Sequence, residues 1–148
     1  MDMLARIRSA TGLPEALRLA VADLGADSGT IHLLGGDGLL HLAAASDGLP
    51  EPVLSVIRRI PVGKGMAGLA VERRRPVDAC NIQTDASGDV RPGARATGLE
   101  GAIVVPMFRG EAAVGALGVA NRRKRTFTEA EIGRLLAIGR AIAERWAE

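Results

Sequence analysis

Tyrosine is absent from this 148-residue sequence, and its aromatic residues are Phe108, Phe127 and Trp146 alone. A site that stacks nucleobases on aromatic faces has little to build on here, so the core falls to Leu, Ile, Val and Ala. Cysteine occurs once, as Cys80. A disulfide within the chain and a structural zinc site of several thiolates are therefore excluded. His32 and His41 are the two histidines; both lie in alternating strand sequence without a carboxylate cluster, so no metal site is expected. No apolar run approaches the roughly 18 residues of a membrane span. The opening MDMLARIRSATG lacks the apolar segment of a signal peptide. These absences, with abundant Ala, Gly and Arg, point to a cytoplasmic, bacterial protein with no membrane partner.

Nor is there a large excess of one charge: 19 basic and 17 acidic residues leave a net charge of +2. The basic residues do gather, as Arg73-Arg74-Arg75 and Arg122-Arg123-Lys124-Arg125. We expect two solvated turns at opposite ends of a sheet. Two separated patches do not make one nucleic-acid groove, so nucleic acid is not an expected partner.

What is present is a chain of one domain's length, read as a single domain over 1–148, with 47% hydrophobic and 24% charged residues. Leu4 and Ile7 hint at a short helix. Leu17, Ala20, Val21 and Leu24 then form one helical stripe, with Pro14 in the first turn and Gly25 at the end. SGTIHLL and LLHLAAA read as a hairpin around Gly35-Gly36-Asp37-Gly38. PEPVLSVIRR is a short helix, and PVDACNI a short strand. Gln83 to Leu99 has no clear period, and loops this long are usually functional or disordered. AIVVPMF and AAVGALGVA flank Arg109-Gly110-Glu111 as a second hairpin. Pro106, lacking an N–H, calls for a local edge or an outward-facing position. Thr128 and Glu131 have capping-box spacing, with Phe127 and Ile132 placed as a hydrophobic staple. Hairpins impose antiparallel pairing. The expected fold is α+β: a central antiparallel sheet of five to six strands with N- and C-terminal helices on one face.

The stretch IPVGKGMAGLAVERRRPV carries Gly63, Gly65 and Gly68 in G-x-G-x-x-G spacing. A dinucleotide fingerprint follows a buried parallel strand and opens a crossover helix. Here the preceding residues are short and charged, and Pro76 stops the following helix. The glycines are better explained by positive φ at a tight turn and by close packing at Gly68. This stretch, the later GAIVVPMFRGEAAVGALGVAN and the FTEAEI helix start together resemble a GAF domain, roughly from Leu13 to Ala143. The resemblance implies a pocket on the sheet face opposite the terminal helices, covered by the glycine-led helix and the long loop. It further implies a small-molecule sensor that signals through its terminal helices to a partner signalling protein or output domain. The chain itself reads as a free-standing sensor, a partner-regulating module or a fragment.

Within the family, cyclic-nucleotide binders carry a signature that Asn121, Arg122, Phe127 and Glu131 match only in part, and the helix start already accounts for Phe127 and Glu131. Free methionine sulfoxide reductases share a turn similar to GKGMAG, but their cysteines would fall at Ala67 and near Ala94 or Ala96. Cys80 alone cannot resolve a sulfenic acid within the chain. It reads as a small buried residue at a strand end or as a redox-sensitive thiol at the pocket mouth. Arg91 or Arg95 has the fork to hold a ligand carboxylate or phosphate; the alternatives are a solvated loop or an Asp89–Arg91 ion pair. The candidate ligand-binding residues are His32, Met66, Cys80, Asn81, Asp85, Asp89, Arg91 and Arg95. No cofactor is identified, the ligand is an unspecified small molecule, and no acid–base pair or nucleophile set emerges, so catalysis is not expected. The last helix carries its apolar stripe out to Trp146, which a monomer would expose unless its own Leu4 and Ile7 cover it. This gives a homodimer joined by the terminal helices. A ligand-free dimerisation and interaction module is the alternative reading.

Overall fold

A computed structural model describes residues 2–147. In chain order the elements are α1 (Met3–Arg8), α2 (Leu13–Asp23), β1 (Ser28–Leu34), β2 (Leu39–Ala45), α3 (Glu51–Ile57), β3 (Arg59–Pro61), α4 (Gly65–Arg73), β4 (Val77–Ala79), a 3-10 turn (Pro92–Thr97), β5 (Ala102–Arg109), β6 (Ala112–Ala120) and α5 (Glu129–Trp146). The six strands form one sheet in the order β3-β2-β1-β6-β5-β4, antiparallel throughout. The fold is α+β with six strands, the upper end of the expected range.

Strand alternation divides the sheet into two faces. On one, Ile31, Ile103, Val105, Met107, Leu117 and Val119 join Leu17 of α2 and Leu135, Ile138 and Ile142 of α5 in the main core. Ile7 of α1 is buried in the same cluster, and Trp146 is packed against it. Trp146 is half-buried within its own chain, with the Arg145 guanidinium 4.0 Å over its ring. That corrects the exposed terminal tryptophan from which self-association was inferred.

On the opposite face the side chains of β5 and β6 are small or short: Ala102 and Val104, then Ala116, Gly118 and Ala120. α4 packs against these two strands. Gly63 and Gly65, at φ +91° and +64°, turn the chain from β3 into α4. Gly68 is close-packed, but against the chain's own turn: a Cβ there would overlap the Pro61 carbonyl oxygen and lie 3.1 Å from the Gly63 nitrogen. The Gly63 N–H also donates to the Gly68 carbonyl at 2.9 Å. Pro106 is buried rather than outward-facing. It is tolerated because β4 pairs only residues 102–104 of β5, leaving Pro106 past the end of that ladder.

α5 begins with the expected reciprocal cap. The Glu131 N–H donates to Thr128 Oγ1 at 3.1 Å, and the Thr128 N–H donates to Glu131 Oε1 at 2.9 Å. The Thr128 backbone bond, with Arg125 beside it, holds the Glu131 carboxyl below its ordinary range. Arg125 bonds Glu131, donates to Asn121 Oδ1 at 2.8 Å and stacks 4.3 Å over Phe127. Buried Asn121 in turn donates to the Gly25 carbonyl at 3.0 Å. The residues compared with the cyclic-nucleotide signature are thus spent on joining the end of β6 to α2 and α5. The basic runs separate as expected. Arg74 lies 5.4 Å from the Phe108 ring at one end of β5, while the Arg123 carbonyl accepts from Gly101 at the other.

Candidate functional site

A cavity of about 180 Å³ opens on the sheet face away from the terminal helices. Its floor is Thr30 and His32 of β1, Gly118 and Ala120 of β6, and Ala102 and Val104 of β5. Its cover is α3 through Val53, Val56 and Ile57, the start of α4 through Gly65, Met66 and Ala67, and the long loop through Ile82, Arg91, Ala94, Thr97 and Leu99. The space follows from small residues at alternate positions of β6. At Gly118 even a Cβ would come within 3.1 Å of Val104 and 3.5 Å of the Thr30 hydroxyl.

His32 is 2% exposed. The β1–β2 ladder shifts register between Ile31 and His32, a bulge that re-aims the side chain. Its Nε2 lies 2.8 Å from the Ile57 carbonyl at the end of α3. Burial lowers its pKa and outweighs the Ile57 bond, which acts in the other sense, so the ring stays neutral at physiological pH. Nδ1 is buried without a partner.

The long loop is shaped by its own polar groups. Asp89 forms a two-armed bond with Arg73, at 2.9 and 3.1 Å. This corrects the Asp89–Arg91 ion pair; among the described residues the Arg91 side chain has no ion pair, and its stem lies against Gly65. Asp85 accepts from the Ser87 N–H at 3.2 Å and from its hydroxyl at 2.5 Å. Arg95 donates to the Asp85 carbonyl at 3.0 Å, and Asn81 Oδ1 accepts from the Gln83 N–H at 3.0 Å. Cys80 is exposed, which corrects the reading of a buried strand-end thiol: β4 ends at Ala79, one residue short. Of the eight candidate residues, His32, Met66 and Arg91 line the cavity, whereas Asn81, Asp85, Asp89 and Arg95 make bonds that shape the loop. The contribution of α3 was not anticipated. The alternation of small with large residues in ALGVA of β6 was the available signal for open space.

Among the described residues no group of three or more His, Cys, Asp or Glu is arranged to hold a metal ion, and no helix is long and apolar enough to cross a membrane.

An antiparallel sheet with helices on one face and a small covered cavity on the other defines an α+β domain of the pocket-bearing kind. A match to the GAF domain family spans residues 12–145, and the chain belongs to that family. A search of curated proteins finds no significant match. Among solved structures, the chain is similar to the GAF domain of an Acinetobacter phosphoenolpyruvate-protein phosphotransferase. The TM-score is 0.77 at 19% identity, covering 99% of this chain and 92% of that one. It is similar to a free methionine-R-sulfoxide reductase of Neisseria meningitidis solved with its substrate, with TM-score 0.77, 19% identity, and 97% and 83% coverage. It is also similar to a domain of a putative two-component sensor histidine kinase from Sinorhizobium meliloti, with TM-score 0.67, 20% identity, and 86% and 82% coverage. At these identities the likeness establishes the fold. The expectation that catalysis is absent is overturned by the second comparison, because the methionine sulfoxide reductases are enzymes built on this fold.

Proposed function

We propose that this GAF domain binds a small molecule in the cavity and passes the bound state to the α1, α2 and α5 layer, and from there to a partner signalling protein. The observation that carries the reading is a cavity of about 180 Å³ holding a buried histidine nitrogen without a partner. Relatives of the same fold in a phosphotransferase and a sensor kinase support the signalling context. A physical route exists through β5, where Ala102 and Val104 meet the cavity while Ile103 and Val105 are buried against the helices. In this reading His32, Met66 and Arg91 touch the ligand, and Asp85, Asp89 and Arg95 hold the loop that covers it.

Native mass spectrometry of gently purified protein, wild type against Ala102→Leu, tests the reading. The leucine body fills the floor. The expected result is a defined small-molecule mass on the wild type that the filled variant loses. An empty wild-type spectrum moves the test to a thermal-shift screen with a metabolite library. The same mass on both proteins, or no compound that stabilises wild type above the variant, refutes the reading. A homodimer belongs to the same proposal. Its support is the groove on the outer surface of α1 and α5, lined by Leu4, Phe108 and Leu136 together with the charged Arg8, Arg140 and Glu144. A monomeric mass across the working concentration range refutes that part.

A further inference from the structure

Two groups on the cavity wall have bonding capacity that the protein does not use. The first is His32. A carbonyl oxygen only accepts, so the Nε2 that lies 2.8 Å from the Ile57 carbonyl carries the ring proton. Nδ1 is therefore a bare lone pair, and it is buried without a partner. An unmet buried acceptor is costly, and a ligand donor offsets that cost. The second is Arg91. Its Cδ packs against Gly65, where a Cβ would come within 2.9 Å. Its guanidinium makes no ion pair or hydrogen bond among the described residues, unlike Arg73, Arg125 and Arg134, which each hold a carboxylate. The wall between these groups is apolar, with Val53, Ile57, Met66 and Val104.

Resting on the binding reading above, we propose that the ligand is a small carboxylate with an apolar body and one hydroxyl or N–H donor. The carboxylate takes the Arg91 fork, and the donor meets His32 Nδ1. A guanidinium fork matches a carboxylate in two parallel bonds. A phosphate dianion would leave its second charge against apolar wall, with no further cation lining the cavity. Size sets the rest. A dry cavity of about 150 Å³ takes benzene, so the 180 Å³ here fits a molecule of about six to nine heavy atoms.

Isothermal titration with three matched series tests this. The probes are straight-chain ω-hydroxyalkanoates of about three to six carbons, which is about six to nine heavy atoms, the alkanoates of equal length, and the corresponding ω-hydroxy amides. Scanning the chain length covers the span between the two anchors. At the best length, losing the hydroxyl or the charge is expected to weaken binding about tenfold each. Arg91→Gln erases the difference between acid and amide. His32→Phe erases the difference between hydroxylated and plain acid. Should His32→Phe fail to fold, the 15N shift of His32 Nδ1 in the wild-type protein reports the same bond, moving with the hydroxylated acid and not with the plain one. Alkanoates or amides that bind as well as the hydroxy acids overturn the inference and leave the cavity reading intact. Failure of all three series, with a natural ligand still retained in the native spectrum, overturns the inference alone. Failure of the series together with an empty spectrum and an empty library screen overturns both.

Discussion

Replacing Gly68 by alanine and replacing Gly133 by alanine are chemically the same change, each inside a helix, yet the structure assigns them opposite signs. At Gly133, in α5, an added methyl meets nothing within 4 Å. Only the helix preference of alanine acts, a gain of about 0.5–1 kcal/mol. At Gly68 the same gain is available, but the methyl overlaps the Pro61 carbonyl oxygen, and backbone cannot rotate out of the way as a side chain would. Overpacking of this kind costs about 1–3 kcal/mol. Opening the turn also strains the Gly63–Gly68 hydrogen bond, worth about 0.5–1.5 kcal/mol. The balance is a net loss of about 2 kcal/mol, or roughly 4–8 °C in Tm for a domain of this size. Urea unfolding followed by circular dichroism reads both variants. The midpoint should fall for Gly68→Ala and rise for Gly133→Ala, with m unchanged. Midpoints that move the same way would show that the Pro61 carbonyl does not bar a side chain at position 68. The first variant should also weaken ligand binding, because Met66 and Ala67 line the cavity from the turn that is displaced.

Thr128→Ala removes one arm of the α5 cap and should cost about 1 kcal/mol, read as a lower urea midpoint. For His32, burial places the folded-state pKa below the unfolded value of about 6.5. Its contribution is therefore complete above that pH. It is lost as pH falls from there toward the folded pKa, with a slope no steeper than about 1.4 kcal/mol per pH unit. His32→Gln should flatten the stability difference between pH 7 and pH 5.5, and an unchanged difference counts against the burial argument. Asp89→Asn breaks the bond to Arg73 at a partly exposed site, so it should change global stability by less than about 1 kcal/mol. It should nevertheless speed tryptic cleavage after Arg95, the site in this loop that no proline follows, and equal cleavage rates would show that the pair does not order the loop.

Much of this architecture was legible in the sequence because local chemistry and global packing agree there. The Thr128–Glu131 box, the glycine turn at 63–65 and the two hairpins each carry their signal within a few residues. The site was harder to read, since contacts between distant segments decide it. Asp89 reaches across to Arg73 instead of its near neighbour Arg91, and no spacing rule encodes a partner 16 residues away. Cys80 is exposed because β4 stops after three residues, a boundary that apolar pattern alone does not fix. α3 entered the cavity through the bond between His32 and the Ile57 carbonyl, which only the folded chain creates. The open floor, by contrast, was written in the small residues of β6.

The sheet also ends abruptly at both sides. β3 and β4 are each three residues long, and β3 closes on Pro61, which has no N–H to offer. A hydrogen-bonding edge of that length is a poor template for another chain's strand. The domain is thereby guarded against growing into a continuous intermolecular sheet, even though its central strands are rich in Val, Ile, Leu and Ala. Contact with another protein is left to side-chain surfaces, the outer faces of the helices and the loop above the cavity. A crowded array of such domains would keep each sheet separate while its helices met.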